Sequence, residues 1–387
     1  MDIQDVVRDL SIQELSALRA LFPITRECAY FDAAANGPLA TPVRQAVDEY
    51  LSGLAARGSR DYPRWQRISN ETRQRAAELL GASPDEIALV RNTSEGINIV
   101  ANGLRLGPGD SVVLIRGDFP ANVHPWLRSE DDGATVRFVE PDVLNRVTTA
   151  QILDRCDAST RIVSVSAVSF WNGYRIDLES LCGALAERGI LLFVDAIQAL
   201  GLLELNLRRL PIDFLSADAH KGLLTPEGIG LFFVRKARLE ELKLSFVSWL
   251  SMQNPFENQK YERRLLPDAR RFEYASPNSM GIHALSAALK LLLSTGVQRI
   301  ERHVLRLTDR LASGLKQRGY HLASPRGERE RSSIVAFTRP GFELEELHRR
   351  LIQNDVVVAS RAGSIRASAH VYNDDTDVER LLAALPE

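Results

Sequence analysis

Apolar positions along the chain follow two rhythms, one helical and one of short continuous runs. In SIQELSALRAL (11–21), Ile12, Leu15 and Leu18 share a helical face, and Ser11 with Glu14 has capping-box spacing. A second helix is predicted from Thr41-Pro42, with proline at the first helical position and a stripe of Val43, Ala46, Val47, Tyr50, Leu51 and Leu54. SNETRQRAAELLG (69–81) predicts a third, stopped by Gly81. The pattern then alternates. IALV (87–90) precedes a helix from near Thr93, and SVVLI (111–115) and VRFVE (136–140) read as strands. Helical TAQILDRC (149–156) leads to the strand RIVSVSAVSF (161–170), then to a helix with Asp177 as N-cap and Gly189 as stop. ILLFVD (190–195), DFLSAD (213–218) and IGLFFV (229–234) are further strands. A run as apolar as ILLFV suits a sheet covered on both faces.

Strand–helix alternation of this kind predicts an α/β fold with a mostly parallel sheet. After about residue 275 the pattern changes. One long helical stretch runs from Ser279 to about Arg318, followed by the strand SIVAF, a helix over 343–353, the strand pair VVVAS and IRASAHVY, and a last helix over 375–385. The expected organisation is an N-terminal helical segment (1–29), a large domain (30–275) and a smaller α+β domain (276–387).

Composition narrows the function classes. Lys plus Arg total 48 and Asp plus Glu 50 in 387 residues, so the net charge of −2 argues against nucleic-acid or anionic-membrane binding. Three cysteines, Cys28, Cys156 and Cys182, are too few and too scattered for a disulfide framework or zinc cluster. The acidic start MDIQDVVRDL lacks a signal-peptide pattern, and no apolar run is long enough to span a bilayer. The expectation is a cytoplasmic protein.

Nucleotide loops, metal-protease and serine-hydrolase motifs are absent from the sequence. Instead, ionisable residues stand at strand ends: Asp195 closes ILLFV, and Ala219-His220-Lys221-Gly222 follows DFLSAD. In an open parallel sheet, ligands sit beyond the carboxyl ends of the strands, so Asp195 and Lys221 are placed at one crevice. A carboxylate there needs a cation or donor, and a covered lysine is pushed towards its nucleophilic neutral form. Pyridoxal phosphate uses both groups: a lysine for its aldehyde, and a carboxylate opposite its pyridine nitrogen.

The run VDAIQ (194–198), then SADAHKGLLTPEGIG (216–230), then FEYASPN (272–278), resembles the class V aminotransferase superfamily of pyridoxal-phosphate enzymes. That superfamily includes cysteine desulfurases, kynureninase and isopenicillin-epimerase-like enzymes. The resemblance extends from about Tyr30-Phe31-Asp32 to the stretch ending at Asn373. It implies the aspartate-aminotransferase-like fold (fold type I), pyridoxal 5′-phosphate as cofactor, a small amino acid substrate and a homodimer with shared active sites. It also implies residue roles. Lys221 would bind the cofactor as a Schiff base and then move the substrate α-proton. Asp195 would pair with the pyridinium, Gln198 would bond the ring hydroxyl, and His220 would reach the phosphate, with Thr93 and Ser94 in the phosphate loop. Phe119, in Asp118-Phe119-Pro120-Ala121-Asn122, would stack on the ring, with Asn122 and Ser169 nearby. Trp249 and Ser276 match positions that contact phosphate from the neighbouring subunit. Arg366 would clamp the substrate carboxylate, a bidentate task suited to guanidinium.

Two departures shape the expected activity. The stretch VVVASRAGSIRAS (356–368) has no cysteine where desulfurases carry a nucleophile, and no room for their loop. Gln198 stands where kynureninase-type enzymes usually have His. The expectation is a lyase working by β-elimination or carbon–sulfur cleavage, without persulfide formation. Transamination and epimerisation are the alternatives, and a non-catalytic, cofactor-binding regulatory module is the rival class. Arg60, Tyr62 and Trp65, expected in a loop before the third helix, are candidates for the pocket lining.

Overall fold

The computed structural model describes residues 8–257, 261 and 263–386. Seven strands build the large sheet: β1 (Ile87–Val90), β2 (Ser111–Ile115), β3 (Thr135–Val139), β4 (Thr160–Ser166), β5 (Leu191–Asp195), β6 (Phe214–Asp218) and β7 (Gly230–Val234). Their order is β1-β7-β6-β5-β4-β2-β3. β5 and β6 are buried along their whole length, as their unbroken apolar sequence requires. β7 runs antiparallel to both neighbours, a reversal that apolar periodicity cannot report. The carboxyl ends of β1 to β6 all lie at one edge of the sheet.

Hydrophobic side chains fill both faces. One cluster joins Val163, Val194 and Leu215 of the sheet to Ile282, Leu285 and Leu289 of the helix Ser279–Thr295. The other joins Leu114, Phe193 and Phe232 to Ile97 and Val100 of the helix Thr93–Gly103. A third cluster belongs to a four-stranded antiparallel sheet near the carboxyl terminus. In it, Ile334–Thr338 pairs with Ser364–Ser368, which in turn pairs with Ala359–Arg361. The N-terminal helix Ile12–Ala20 carries the expected capping box, and its Arg19 donates to both oxygens of Asp377. The first seven residues of that segment lie outside the described residues.

Three sequence expectations are corrected. The third helix spans Tyr62–Leu80 and opens with Pro63 at its first turn, so Tyr62 and Trp65 lie on the helix and only Arg60 precedes it, in a 3-10 turn. The long helical stretch is two helices, Ser279–Thr295 and Val297–Gln317, bent by 78° at Gly296. Gly296 has φ 88°, which a residue without a Cβ adopts freely. VVVAS does not pair as a unit with IRASAHVY: Val356–Val357 pairs in parallel with Ala29–Tyr30. Among the described residues, no single helix is long and apolar enough to cross a membrane.

Candidate active site

The sheet topology converts scattered sequence positions into one crevice. Thr93 follows β1, Asp118, Phe119 and Asn122 follow β2, Ser169 follows β4, Asp195 and Gln198 end and follow β5, and His220 and Lys221 follow β6. Close backbone packing holds the last two loops together. A Cβ on Gly222 would collide with the Leu200 carbonyl, and one on Gly201 with the Gly222 carbonyl, so neither position accepts a side chain without backbone movement.

Asp195 is 2% exposed and, among the described residues, accepts one hydrogen bond, from the Ile197 N–H at 3.0 Å. Burial is the main force raising its proton affinity, and Lys221 opposes it. Burial in turn pushes the Lys221 ammonium down, with Asp195 the strongest opposing charge. The two side chains are therefore electrostatic partners in a poorly solvated space. Lys221 Nζ lies 5.7 Å from the centre of the Phe119 ring. That ring is 41% exposed and meets Phe170 edge-on at 5.2 Å. Below it, Asn122 is buried and donates to Asp118 Oδ2 at 3.0 Å while accepting from Ser164 Oγ. Asn122 thus braces the loop that carries Phe119.

Gln198 is buried, and its Nε2 donates to the Ala34 carbonyl at 3.0 Å. Gly37 N–H donates to the His220 carbonyl, so the 32–37 turn is tied to both cofactor-end loops. His220 Nδ1 lies 3.0 Å from Asp218 Oδ1, yet the alignment makes no hydrogen bond and both buried atoms remain without one. The Thr93 hydroxyl accepts from the Asp218 N–H at 2.8 Å, while the helix cap is Asn92, whose side chain accepts from Glu95 N–H. Ser94 is exposed in a 330 Å³ cleft with Arg91, Asn98 and Tyr274. Ser169 Oγ accepts from Asn145 Nδ2.

Arg366 comes from the other sheet, on the strand Ser364–Ser368. Its Nη1 donates to the Phe170 carbonyl at 2.7 Å and its Nη2 to Asp32 Oδ1 at 3.0 Å. It is close enough to Lys221 to lower that ammonium's proton affinity. Trp249 and Ser276 stand apart. Both are exposed, and a hydrogen bond from Ala275 N–H to Ser248 Oγ brings their segments together. Among the described residues, neither makes a hydrogen bond or ring contact with Lys221, Asp195, Gln198 or His220. Tyr62 and Trp65 pack with each other and, respectively, with Phe256 and Tyr50.

Sequence reasoning left Asp118 and Asp32 without a role. Asp118 had a readable signal, since it follows an apolar strand as Asp195 ends one. Asp32 had none: its partner lies 334 residues away.

The donor set suits pyridoxal phosphate. A buried carboxylate without a full set of donors faces a lysine depressed by burial, and an exposed ring stands beside that lysine. Asn92, Thr93 and Ser94 form a helix N-terminus at the same edge, favourable to a phosphate. Fold and site together define a pyridoxal-phosphate enzyme of fold type I. The chain belongs to the aminotransferase class-V family, whose model matches residues 29–381.

Its relatives carry different names. It is 30% identical to a probable cysteine desulfurase of Pyrococcus abyssi, over 96% of each chain. It is 28% identical to an uncharacterized aminotransferase of Bacillus subtilis, over 94% of this chain and 95% of the relative. The apo cysteine desulfurase of Thermococcus onnurineus superposes with a TM-score of 0.87 at 28% identity, covering 95% of this chain and 96% of that one. The cystine C–S lyase C-DES shares the fold, with a TM-score of 0.87 at 23% identity over 94% of this chain and 98% of its own.

Proposed function

We propose that this class V enzyme is a lyase that removes the β-substituent of an amino acid, acting as a homodimer. The observation that carries the reading is the hairpin between Ala359–Arg361 and Ser364–Ser368. It closes through Ala362 and Gly363, with φ of 47° and 76°, a two-residue turn that leaves no space for a nucleophile-bearing loop. The cysteines elsewhere do not replace it. Cys28 and Cys182 are buried and Cys156 is half-buried, and burial pushes all three thiols up, Cys182 to about 12. A thiol held protonated is a poor sulfur acceptor, which favours elimination over persulfide transfer to the protein.

Bound in this crevice, pyridoxal phosphate supplies an aldehyde for the substrate amine and a ring that draws electron density from Cα. The residues supply the rest. Lys221 Nζ takes the proton from Cα and is suited to the task because burial favours its neutral form. Asp195 would pair with the pyridine nitrogen, in a medium poor enough in water to make that interaction count. Phe119, beside Lys221, would stack on the cofactor ring. Gln198 and His220 hold the 32–37 turn against the crevice, and Arg366 receives the substrate carboxylate. Thr93, Ser94 and His220 are assigned to the phosphate, and Trp249 and Ser276 to the phosphate of a second subunit.

Transamination is the second reading, favoured by the naming of the Bacillus subtilis relative. Incubating the purified enzyme with L-cystine and L-cysteine separates the two. Elimination yields pyruvate and ammonia from catalytic turnover without a keto-acid acceptor. Product that appears only when an acceptor is added supports transamination. A spectrum unmoved by any amine, with no product, supports the non-catalytic module instead.

A further inference from the structure

Arg366 does not face the crevice as an unpaired cation. Its side chain is 3% exposed, whereas that of Asp32 is 18% exposed, so the carboxylate is the more accessible member of the pair. Nη1 gives one of its N–H groups to the Phe170 carbonyl and Nη2 one of its own to Asp32. Nε is buried and, among the described residues, has no hydrogen-bond partner. The guanidinium is therefore neutralised from within before any substrate arrives.

Asp32 is built into this place. Its backbone bridges Ser368, two positions along the same strand as Arg366. Its carbonyl accepts from the Ala35 and Asn36 N–H groups, which folds the 32–37 turn. Ser368 Oγ accepts from Ala34 N–H, and Ala34 in turn receives Gln198. Both ends of the turn are thus anchored, one to the small sheet and one to the cofactor-end loops. The carboxylate between them is fixed, close to both Arg366 and Lys221.

We propose that Asp32 is a specificity residue, an internal carboxylate that occupies Arg366 and with which a substrate carboxylate must compete. The inference rests on the assignment of Arg366 as the carboxylate seat. Its consequence is quantitative. An α-carboxylate entering this site gains the difference between its own pairing with Arg366 and that of Asp32, not the full value of an ion pair. It also comes close to a second negative charge. Amines without a carboxylate meet a neutral Arg366–Asp32 pair and lose little by comparison. Asp32 therefore compresses the preference for amino acids over simple amines.

The test uses two probes on the cofactor-loaded enzyme, read as dissociation constants from the absorbance shift rather than as turnover. L-alanine has no leaving group on Cβ, and ethylamine is its carboxylate-free counterpart. Asp32→Asn keeps an oxygen acceptor for Nη2 and removes the charge. It should tighten L-alanine by about five-fold while leaving ethylamine within about two-fold, the scale expected for one partly exposed charge pair. Asp32→Glu retains the charge and should not tighten L-alanine. An Asn variant that binds L-alanine as weakly as the parent, or more weakly, overturns the proposal and makes Asp32 a support for Arg366. Arg366→Ala separates the two levels. If it leaves the ratio of L-alanine to ethylamine affinity unchanged, the carboxylate seat itself is wrongly assigned. If that ratio falls while Asp32→Asn has no tightening effect, only the role of Asp32 fails.

Discussion

The loop after β2 and the last residue of β5 each place an aspartate at the same edge of the sheet, and the two are held in opposite ways. Asp118 accepts from Phe119 N–H, Ser166 N–H, Ser166 Oγ and Asn122 Nδ2, four donors that enclose its carboxylate. Asp195 accepts from one among the described residues. Burial raises the proton affinity of both. A carboxylate whose lone pairs are met by protein donors has been spent on structure: it pins the Phe119 loop to β4. A carboxylate left with one donor in a buried place is costly unless something else meets it. That imbalance identifies Asp195 as the group kept for a ligand. Partner count separates the two, where burial and residue type do not.

The sharpest test of the contrast concerns the cation that Asp195 faces. Lys221→Ala should abolish borohydride-trapped cofactor and lower kcat by on the order of 10⁴-fold. Retention of turnover would remove the lysine from its assigned role. Asp195→Asn comes next. It should cost about 10³-fold in kcat/KM, the scale for a preorganised charge at a reacting centre, with little loss of thermal stability. Asp118→Ala should show the reverse pattern. Stripping four donors of their acceptor should lower unfolding free energy by about 4 kcal/mol in denaturant titrations, with covalent cofactor still trapped at Lys221 in the folded fraction. If the two aspartate variants lose stability and turnover in the same proportion, the distinction between them collapses.

The smallest effect concerns the far side of the lysine loop. His370 is buried, its Nε2–H donates to the Gly222 carbonyl at 3.0 Å, and its Nδ1 accepts from Val371 N–H at 2.7 Å. These partners define a neutral ring, and burial pushes its pKa from 6.5 down to about 4. The unfolded chain therefore binds the proton first. The stabilisation is complete above pH 6.5 and is lost as pH falls towards 4, by up to about 3 kcal/mol. Tm measured across that interval should fall on acidification, and His370→Gln should flatten the slope. An equal slope in both proteins would place the acid sensitivity elsewhere.

Much of the crevice was legible before the fold. Asp195 and Lys221 stand out because each sits where an apolar strand ends, and strand ends of a parallel sheet share one edge. Their spacing together with Gln198 and His220 carried the resemblance to the family. Asn122 was legible as a motif position but not as a brace, because one of its partners, Ser164, lies 42 residues away on β4. The third helix was read seven residues short, since Tyr62, Pro63 and Trp65 weakened the periodic signal while the tertiary packing of Trp65 on Tyr50 extends it. The bend at Gly296 was missed because apolar periodicity continues on both sides of the break.

The amino-acid order alone determined the strands of the large sheet and which ionisable residues stand at their ends, because those properties depend on neighbours a few positions apart. Only the tertiary structure decided that β7 runs backwards, that Asp118 is saturated while Asp195 is not, and that Asp32 already occupies Arg366 across 334 residues. Those outcomes depend on which surfaces pack together, and local periodicity holds no record of a partner brought near by the folding of the whole chain.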